Sequence, residues 1–182
     1  SLRFEKCKIR ASFQRIIGMT FRIAYLLFCN LCIFYGCKGQ GAEKQQTLKI
    51  HPKTVIDSLV VYKSERIMLV FCAAVKVKSY KIALGQNPVG HKQFEGDSKT
   101  PEGIYFIDAK SAVSKYHKNL NISYPNAKDI EFAAAQNKRA GGDIKIHGLP
   151  NGYDEKNYER SDWTLGCIGL TNTEIDELYK HV

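Results

Sequence analysis

With 182 residues, 44% of them apolar and 25% charged, the chain has the make-up of a folded protein and length for one well-packed domain, which excludes wholesale disorder and disfavours two independent cores. The formal charge of +9 is uneven: residues 1–37 hold Arg3, Lys6, Lys8, Arg10, Arg15 and Arg22 against Glu5, a net of +5, which leaves +4 for everything after. That remainder is mild and is not interleaved with aromatics, so nucleic acid is not an expected partner.

Residues 23–36 (IAYLLFCNLCIFYG) are nearly all apolar and follow the basic stretch that ends at Arg22. A helix of that length rises about 21 Å, short of the ~30 Å hydrocarbon core, so the pattern reads as an export signal and not a spanning helix. Met19 is a natural start for it, with residues 1–18 upstream; a buried helix or signal anchor is the competing reading. Cys37 closes the run after Gly36, as in a lipoprotein cleavage site where the Cys is lipidated and becomes the first mature residue; ordinary cleavage nearby is the alternative. The expected organisation is an N-terminal extension and signal over 1–37, a polar linker over 38–53 and a folded domain over 54–182. Cys7, Cys29, Cys32 and Cys37 then belong to the leader, which leaves Cys72 and Cys167 in the domain. The Cys29–Cys32 spacing sits inside the apolar run without a second ligand pair and is read as incidental.

Within the domain, residues 67–73 (IMLVFCA) are continuously apolar, as in a strand covered on both faces, and residues 75–84 (VKVKSYKIAL) alternate, as in a half-exposed strand. Their closeness predicts a hairpin. Residues 85–103 carry four glycines and two prolines and read as a long loop, of the kind that is commonly functional. Residues 104–107 read as a strand, 114–125 as loop, and 127–138 as a helix ended by Gly141-Gly142. A short strand over 144–146 leads into His147, and 174–180 reads as a helix that Thr171, Asn172 or Thr173 can cap. The whole is β-rich with short helices.

Chemistry concentrates near the C-terminus. His147-Gly148 follows a short apolar strand, and Thr164-Leu165-Gly166-Cys167-Ile168 lies downstream. A free Cys is only a few per cent thiolate at neutral pH and needs a base, a role that suits His. Gly166 beside the Cys would let a carbonyl approach and leave backbone N–H groups for an oxyanion. One Cys and one His alone also describe a structural thiol and a satisfied core imidazole. No second Cys or His stands at ligand spacing, so neither a metal nor a cofactor is expected. A Cys72–Cys167 disulfide would suit an oxidising compartment, and a nucleophilic Cys167 argues for a free thiol.

His147, sixteen residues, then Thr164-Leu165-Gly166-Cys167-Ile168 resembles the active-site motif of the YkuD family of L,D-transpeptidases: a His, a gap, Ser or Thr, often a second His, then Gly-Cys and an apolar residue. Leu84-Gly85, Asn87-Pro88-Val89-Gly90, Lys92, Glu95-Gly96-Asp97 and Thr100-Pro101-Glu102-Gly103-Ile104-Tyr105 are similar to the family's glycine-rich segment, as are Ile122-Ser123-Tyr124-Pro125-Asn126 and Ile146-His147-Gly148 elsewhere. The likeness covers residues 54–182. Leu165 stands where many members carry the second His, and Gly169 where many carry Arg or Asn. With Asp162-Trp163-Thr164 these departures resemble the murein-associated subgroup related to YafK, some members of which hydrolyse a protein linkage to peptidoglycan instead of forming cross-links.

The resemblance implies a YkuD-like β-sandwich catalytic domain of α+β class, mainly β with short helices, and a cysteine acyltransferase of cell-wall organisation and cell shape. Its partners would be peptidoglycan stem peptides and, as acceptor, an amine or an envelope protein, in the periplasm or cell envelope and with a lipid anchor if Cys37 is modified. Cys167 would be the nucleophile, His147 the proton acceptor and donor, Gly166 and Thr164 the oxyanion and positioning residues, and Trp163 and Asp162 shapers of the pocket. A hydrolase and a catalytically silent peptidoglycan-binding lipoprotein are the alternatives. His51, His91 and His117 are read as solvated; Lys92, Glu95, Asp97 and Glu102 could meet charged substrate or serve the loop's own packing. The family usually continues into another strand after the last helix, so the end at His181-Val182 reads as a truncation.

Overall fold

The computed structural model describes residues 2–5 and 49–182, so the apolar run of 23–36, Cys37 and most of the expected linker lie outside the described residues. Two sheets carry the fold. In the first, β2 (Ser58–Tyr62), β3 (Ile67–Cys72) and β4 (Val75–Lys81) form an antiparallel meander. β1 (Leu2–Glu5) runs antiparallel to β2 and parallel to β5 (Gly103–Tyr105), giving the order β4-β3-β2-β1-β5. The sequence reading had placed residues 2–5 in the leader. The second sheet has the order β6-β7-β8-β9, from β6 (Ile107–Ser114), β7 (His117–Ile122), β8 (Lys145–His147) and β9 (Ile168–Gly169).

The expected β3–β4 hairpin is present. β3 is not covered on both faces, however: Met68 and Val70 are buried while their neighbours are only partly so, because one face of this sheet meets the core. β4 ends at Lys81, and the buried residues Ile82, Ala83 and Leu84 cross to the second sheet, where Ala83 and Gly169 exchange two backbone bonds of 2.9 Å. The single strand expected over 104–107 is divided at Phe106, whose backbone N–H and C=O are both taken by Ser123 as the chain passes between sheets. Besides β1, the strands β2, β7 and β9 and all of β6 after Ile107 have no counterpart among the strands expected from sequence. β2 is apolar but short, and β7 was read as loop because its composition is polar; Leu120 and Ile122 nevertheless alternate inward from it.

Helix α1 (Ala127–Ala134) starts at a capping box between Asn126 and Asp129 and stops four residues before the expected end. Past it, Asn137 takes a left-handed conformation with φ of 54°. Helix α2 (Asn172–His181) is capped by Thr171, whose hydroxyl and the Glu174 carboxylate close a second capping box. Ile175 and Leu178, three apart and so on one face, are fully buried. They join a single core with Leu59, Val61, Met68 and Val70 of the first sheet and Leu120, Ile122, Ile146 and Ile168 of the second. Each such side chain contributes roughly 1.5–3 kcal/mol of burial. Ile50, assigned to the linker by sequence, is buried too, and its N–H donates to Glu177 on α2.

Candidate active site

β8 and β9 run parallel, with Ile146 opposite Ile168 and His147 opposite Gly169. Cys167, one residue before β9, is therefore two positions back from the residue facing His147, on the same face of the sheet. Strand spacing and a two-residue advance put the two Cα atoms roughly 8 Å apart. Both side chains line one cavity of about 680 Å³, with Tyr116, Asp143, Lys145, Trp163, Thr164 and Leu165 among its other walls. The pair singled out by spacing in the sequence thus shares one chamber.

His147 is 3% exposed and its Nδ1 lies 2.7 Å from the Gly148 carbonyl, which requires Nδ1 to carry the proton. Nε2 has no partner among the described residues and is not sealed in. The ring is packed between aromatics: Tyr116 lies tilted at 4.6 Å between centroids and Trp163 edge-on at 5.5 Å. Burial pushes the imidazole below its ordinary value, with the Gly148 bond opposing and the Lys145 charge adding to the fall. The Cys167 thiol is partly buried; it donates to the Asp143 carbonyl at 3.7 Å and accepts from the Lys145 N–H at 3.4 Å. Burial pushes its ionisation up, the Lys145 N–H works against that, and the Asp143 charge reinforces it. No hydrogen bond joins Cys167 to His147 among the described residues, and burial favours the uncharged form of each. Cys72 and Cys167 are both free thiols.

The turn before the thiol is built to be rigid. Thr164, 4% exposed, donates its hydroxyl proton to the Cys167 carbonyl at 2.7 Å and accepts from the Gly166 N–H at 3.2 Å. Thr164 is thus a fastener of the turn, and the Gly166 N–H expected to meet an oxyanion is already taken. The Cys167 N–H, by contrast, has no hydrogen bond among the described residues. Gly166 has φ of +131°, and a Cβ there would meet the Lys99 carbonyl oxygen at 2.6 Å, so only glycine fits. Lys99 belongs to the long glycine-rich loop, whose Gly85 pairs with Thr164 and donates to the Thr100 hydroxyl. The two sequence motifs are therefore two sides of one contact.

That loop is organised from within. Lys92, 3% exposed, donates to Asp97 at 2.8 Å and to the Phe94 carbonyl at 2.9 Å. Lys63 gathers the Gly90 carbonyl, the Thr100 carbonyl and Glu102. Lys92, Asp97 and Glu102 thus serve packing, while Glu95 is paired with Arg139 at the surface. His91 and His117 are not simply solvated: His91 bridges the Glu102 N–H and Asp129, and His117 meets Asp176. His51 is exposed.

Asp162 does not line the cavity. It receives Arg66 at 2.7 Å and the Leu84 N–H at 3.0 Å, anchoring the segment that leads to the thiol turn. Trp163 does line it, and its ring nitrogen donates to Tyr158. Gly169 lies against the indole: a Cβ there would stand 3.4 Å from that nitrogen, within ordinary van der Waals contact. Leu165 is 74% exposed at the rim. Tyr116, which lines the cavity, and Asn151, which bonds to Ser114 and His117 on either side of it, give no sequence signal because they sit in polar stretches without periodicity.

A family model described as YkuD, L,D-transpeptidase catalytic domain, matches residues 56–182. The chain is 28% identical over 173 residues to the YafK proteins of Escherichia coli K12 and of Escherichia coli O157:H7, covering 88% of this chain and 63% of those proteins. It thus spans less than two thirds of the length of these relatives. The structure of Bdellovibrio bacteriovorus Bd1075 aligns with a TM-score of 0.46 at 25% identity, over 68% of this chain and 43% of that one.

Proposed function

We propose that this chain, which belongs to the YkuD family of L,D-transpeptidase catalytic domains, acts in the cell envelope as a cysteine acyltransferase on peptidoglycan stem peptides. The observation that carries the reading is the shared cavity of Cys167 and His147, with Nδ1 tied to the Gly148 carbonyl and Nε2 left as the acceptor. The thiol turns from the Asp143 carbonyl to His147 as substrate binds, and Nε2 takes its proton while sulfur attacks the amide carbonyl carbon. The Cys167 N–H is the donor left for the oxyanion. The C–N bond then breaks, His147 returns the proton to the leaving amine, and a thioester remains. An acceptor amine, on a second stem or an envelope protein, attacks the thioester and yields its proton through His147 to restore the Cys167 thiol.

Incubation of the full chain with tetrapeptide muropeptides and analysis of the products by mass spectrometry tests this. Cross-linked dimers that vanish in Cys167→Ala and His147→Gln support transfer. Shortened stems or released protein, equally dependent on Cys167, would make water the acceptor and the chain a hydrolase. Unchanged muropeptides with the wild-type protein would sink both and leave a silent peptidoglycan-binding protein.

A further inference from the structure

Asn151 is exposed, yet its side-chain amide and its backbone N–H are both engaged. Its side-chain amide donates to the Ser114 carbonyl at 2.8 Å, its side-chain oxygen accepts from the His117 N–H at 3.0 Å, and its backbone N–H donates to the Lys115 carbonyl at 3.0 Å. Those three residues surround Tyr116 in the tight reversal between β6 and β7, where His117 holds a left-handed φ of 61°. Asn151 itself follows the His147 loop, and the Gly148 N–H in turn donates to the Tyr116 carbonyl at 3.1 Å. The hairpin tip and the histidine loop are thus stitched together on both sides of one aromatic ring, which lies 4.6 Å from the imidazole and 5.8 Å from Trp163.

We propose that Asn151 is a positioning residue for the base: by fastening the β6–β7 tip to the histidine loop it holds Tyr116 against His147, closing with Trp163 an aromatic clamp that shields the imidazole from water. This rests on His147 being the base, as argued above. The need for a clamp follows from what His147 lacks. No carboxylate is hydrogen-bonded to it among the described residues, only the Gly148 carbonyl. Its charged and titratable surroundings are Lys145 on its own strand, Lys115 and Tyr116 on the tip, Cys167 before β9 with Asp143 beyond it, and Tyr158 behind Trp163. With no anion bonded to the ring, exclusion of water is what keeps the imidazole an unprotonated acceptor, in line with the direction in which burial drives it. Loss of the clamp readmits water and makes the protonated ring less unfavourable.

The test is a proton NMR titration of the His147 ring in the full chain, assigned with His147→Gln and needing no peptidoglycan. The wild-type midpoint is expected below the ordinary value of about 6.5. Tyr116→Ala and Asn151→Ala are each expected to raise it toward that value, the double variant no further than the larger single one, and Tyr116→Phe to leave it in place. Asn151→Asp keeps the acceptor for His117 and loses the donor to Ser114, so an intermediate rise is expected. A wild-type midpoint at or above 6.5, or an Asn151→Ala midpoint equal to wild type, overturns the proposal. Because the readout is the ring itself, a failed muropeptide assay would strike the proposed function and leave this result standing.

Discussion

Thr164 shows how a single hydroxyl can carry a reactive turn. It is buried, donates to the Cys167 carbonyl and accepts from the Gly166 N–H, so both halves of its hydrogen-bonding capacity are spent on the residues that present the thiol. Thr164→Val keeps the shape and removes both bonds, leaving a buried N–H and C=O without partners at a cost of about 1–3 kcal/mol. Urea unfolding should show that loss, and iodoacetamide labelling should show Cys167 of the variant reacting with altered rate; Thr164→Ser should restore both. A Thr164→Val protein as stable as wild type would mean the turn is held by the backbone bonds of Thr164 to Leu84 and Gln86 instead.

Among the elements, the β3–β4 hairpin is locally mismatched. Its two-residue turn is Ala73-Ala74, with φ of 49° and 65°, which is the geometry of a type I′ turn. That turn favours Asn-Gly, because the left-handed region costs a residue with a Cβ roughly 1–2 kcal/mol. Replacing both residues (Ala73→Asn with Ala74→Gly) should therefore raise stability by about 1 kcal/mol or more, read as a higher urea midpoint at unchanged slope. An unchanged midpoint would show that the Asp57 side chain, which accepts the Ala73 N–H, already compensates the strain. The helices are matched to their sequences instead: both begin at complete capping boxes, and α2 also carries Lys180 and His181 in its last turn, where the helix dipole favours cations.

Over the whole molecule, partly buried ion pairs tie the long loop and helix α2 to the sheets, and this sets the response to acid. For Asp97, burial alone would raise the carboxyl, but Lys92 and three backbone N–H groups outweigh it and hold it below the usual range. Glu102 is held down chiefly by Lys63, with burial opposing. Burial likewise opposes Asp176 and Glu177, and their hydrogen bonds to Lys118 and His117, and to the Ile50 N–H, Tyr80 and Lys78, prevail. Groups depressed in the folded state contribute stability that is present above their unfolded values and is lost as pH falls through the folded ones. Stability should therefore decline as pH drops below about 4, measured as the urea midpoint against pH. Asp97→Asn should lower the midpoint at neutral pH and flatten that decline. A parallel decline in wild type and variant would show that Asp97 is not part of it.

Cys167 and His147, which the structure brings into one cavity, were legible in the chain as a candidate pair through the motifs that resemble the YkuD family; taken singly they also describe a structural thiol and a core imidazole. The β3–β4 hairpin, both helices and the Thr171 cap were legible for a local reason: each is decided by residues within a few positions of one another. What tertiary structure decided is everything that depends on distant partners. The polar β7 is a strand only because β6 and β8 flank it, and the Gly166 N–H is closed to an oxyanion only because Thr164 turns back upon it. Asp162 looks like a pocket residue beside Trp163 in the chain, yet Arg66, nearly a hundred positions earlier, draws it out of the cavity. Tyr116 and Asn151 carry no signal at all in one dimension. They acquire a role when two loops meet, since contact across a fold is set by packing, and short-range patterning cannot encode it.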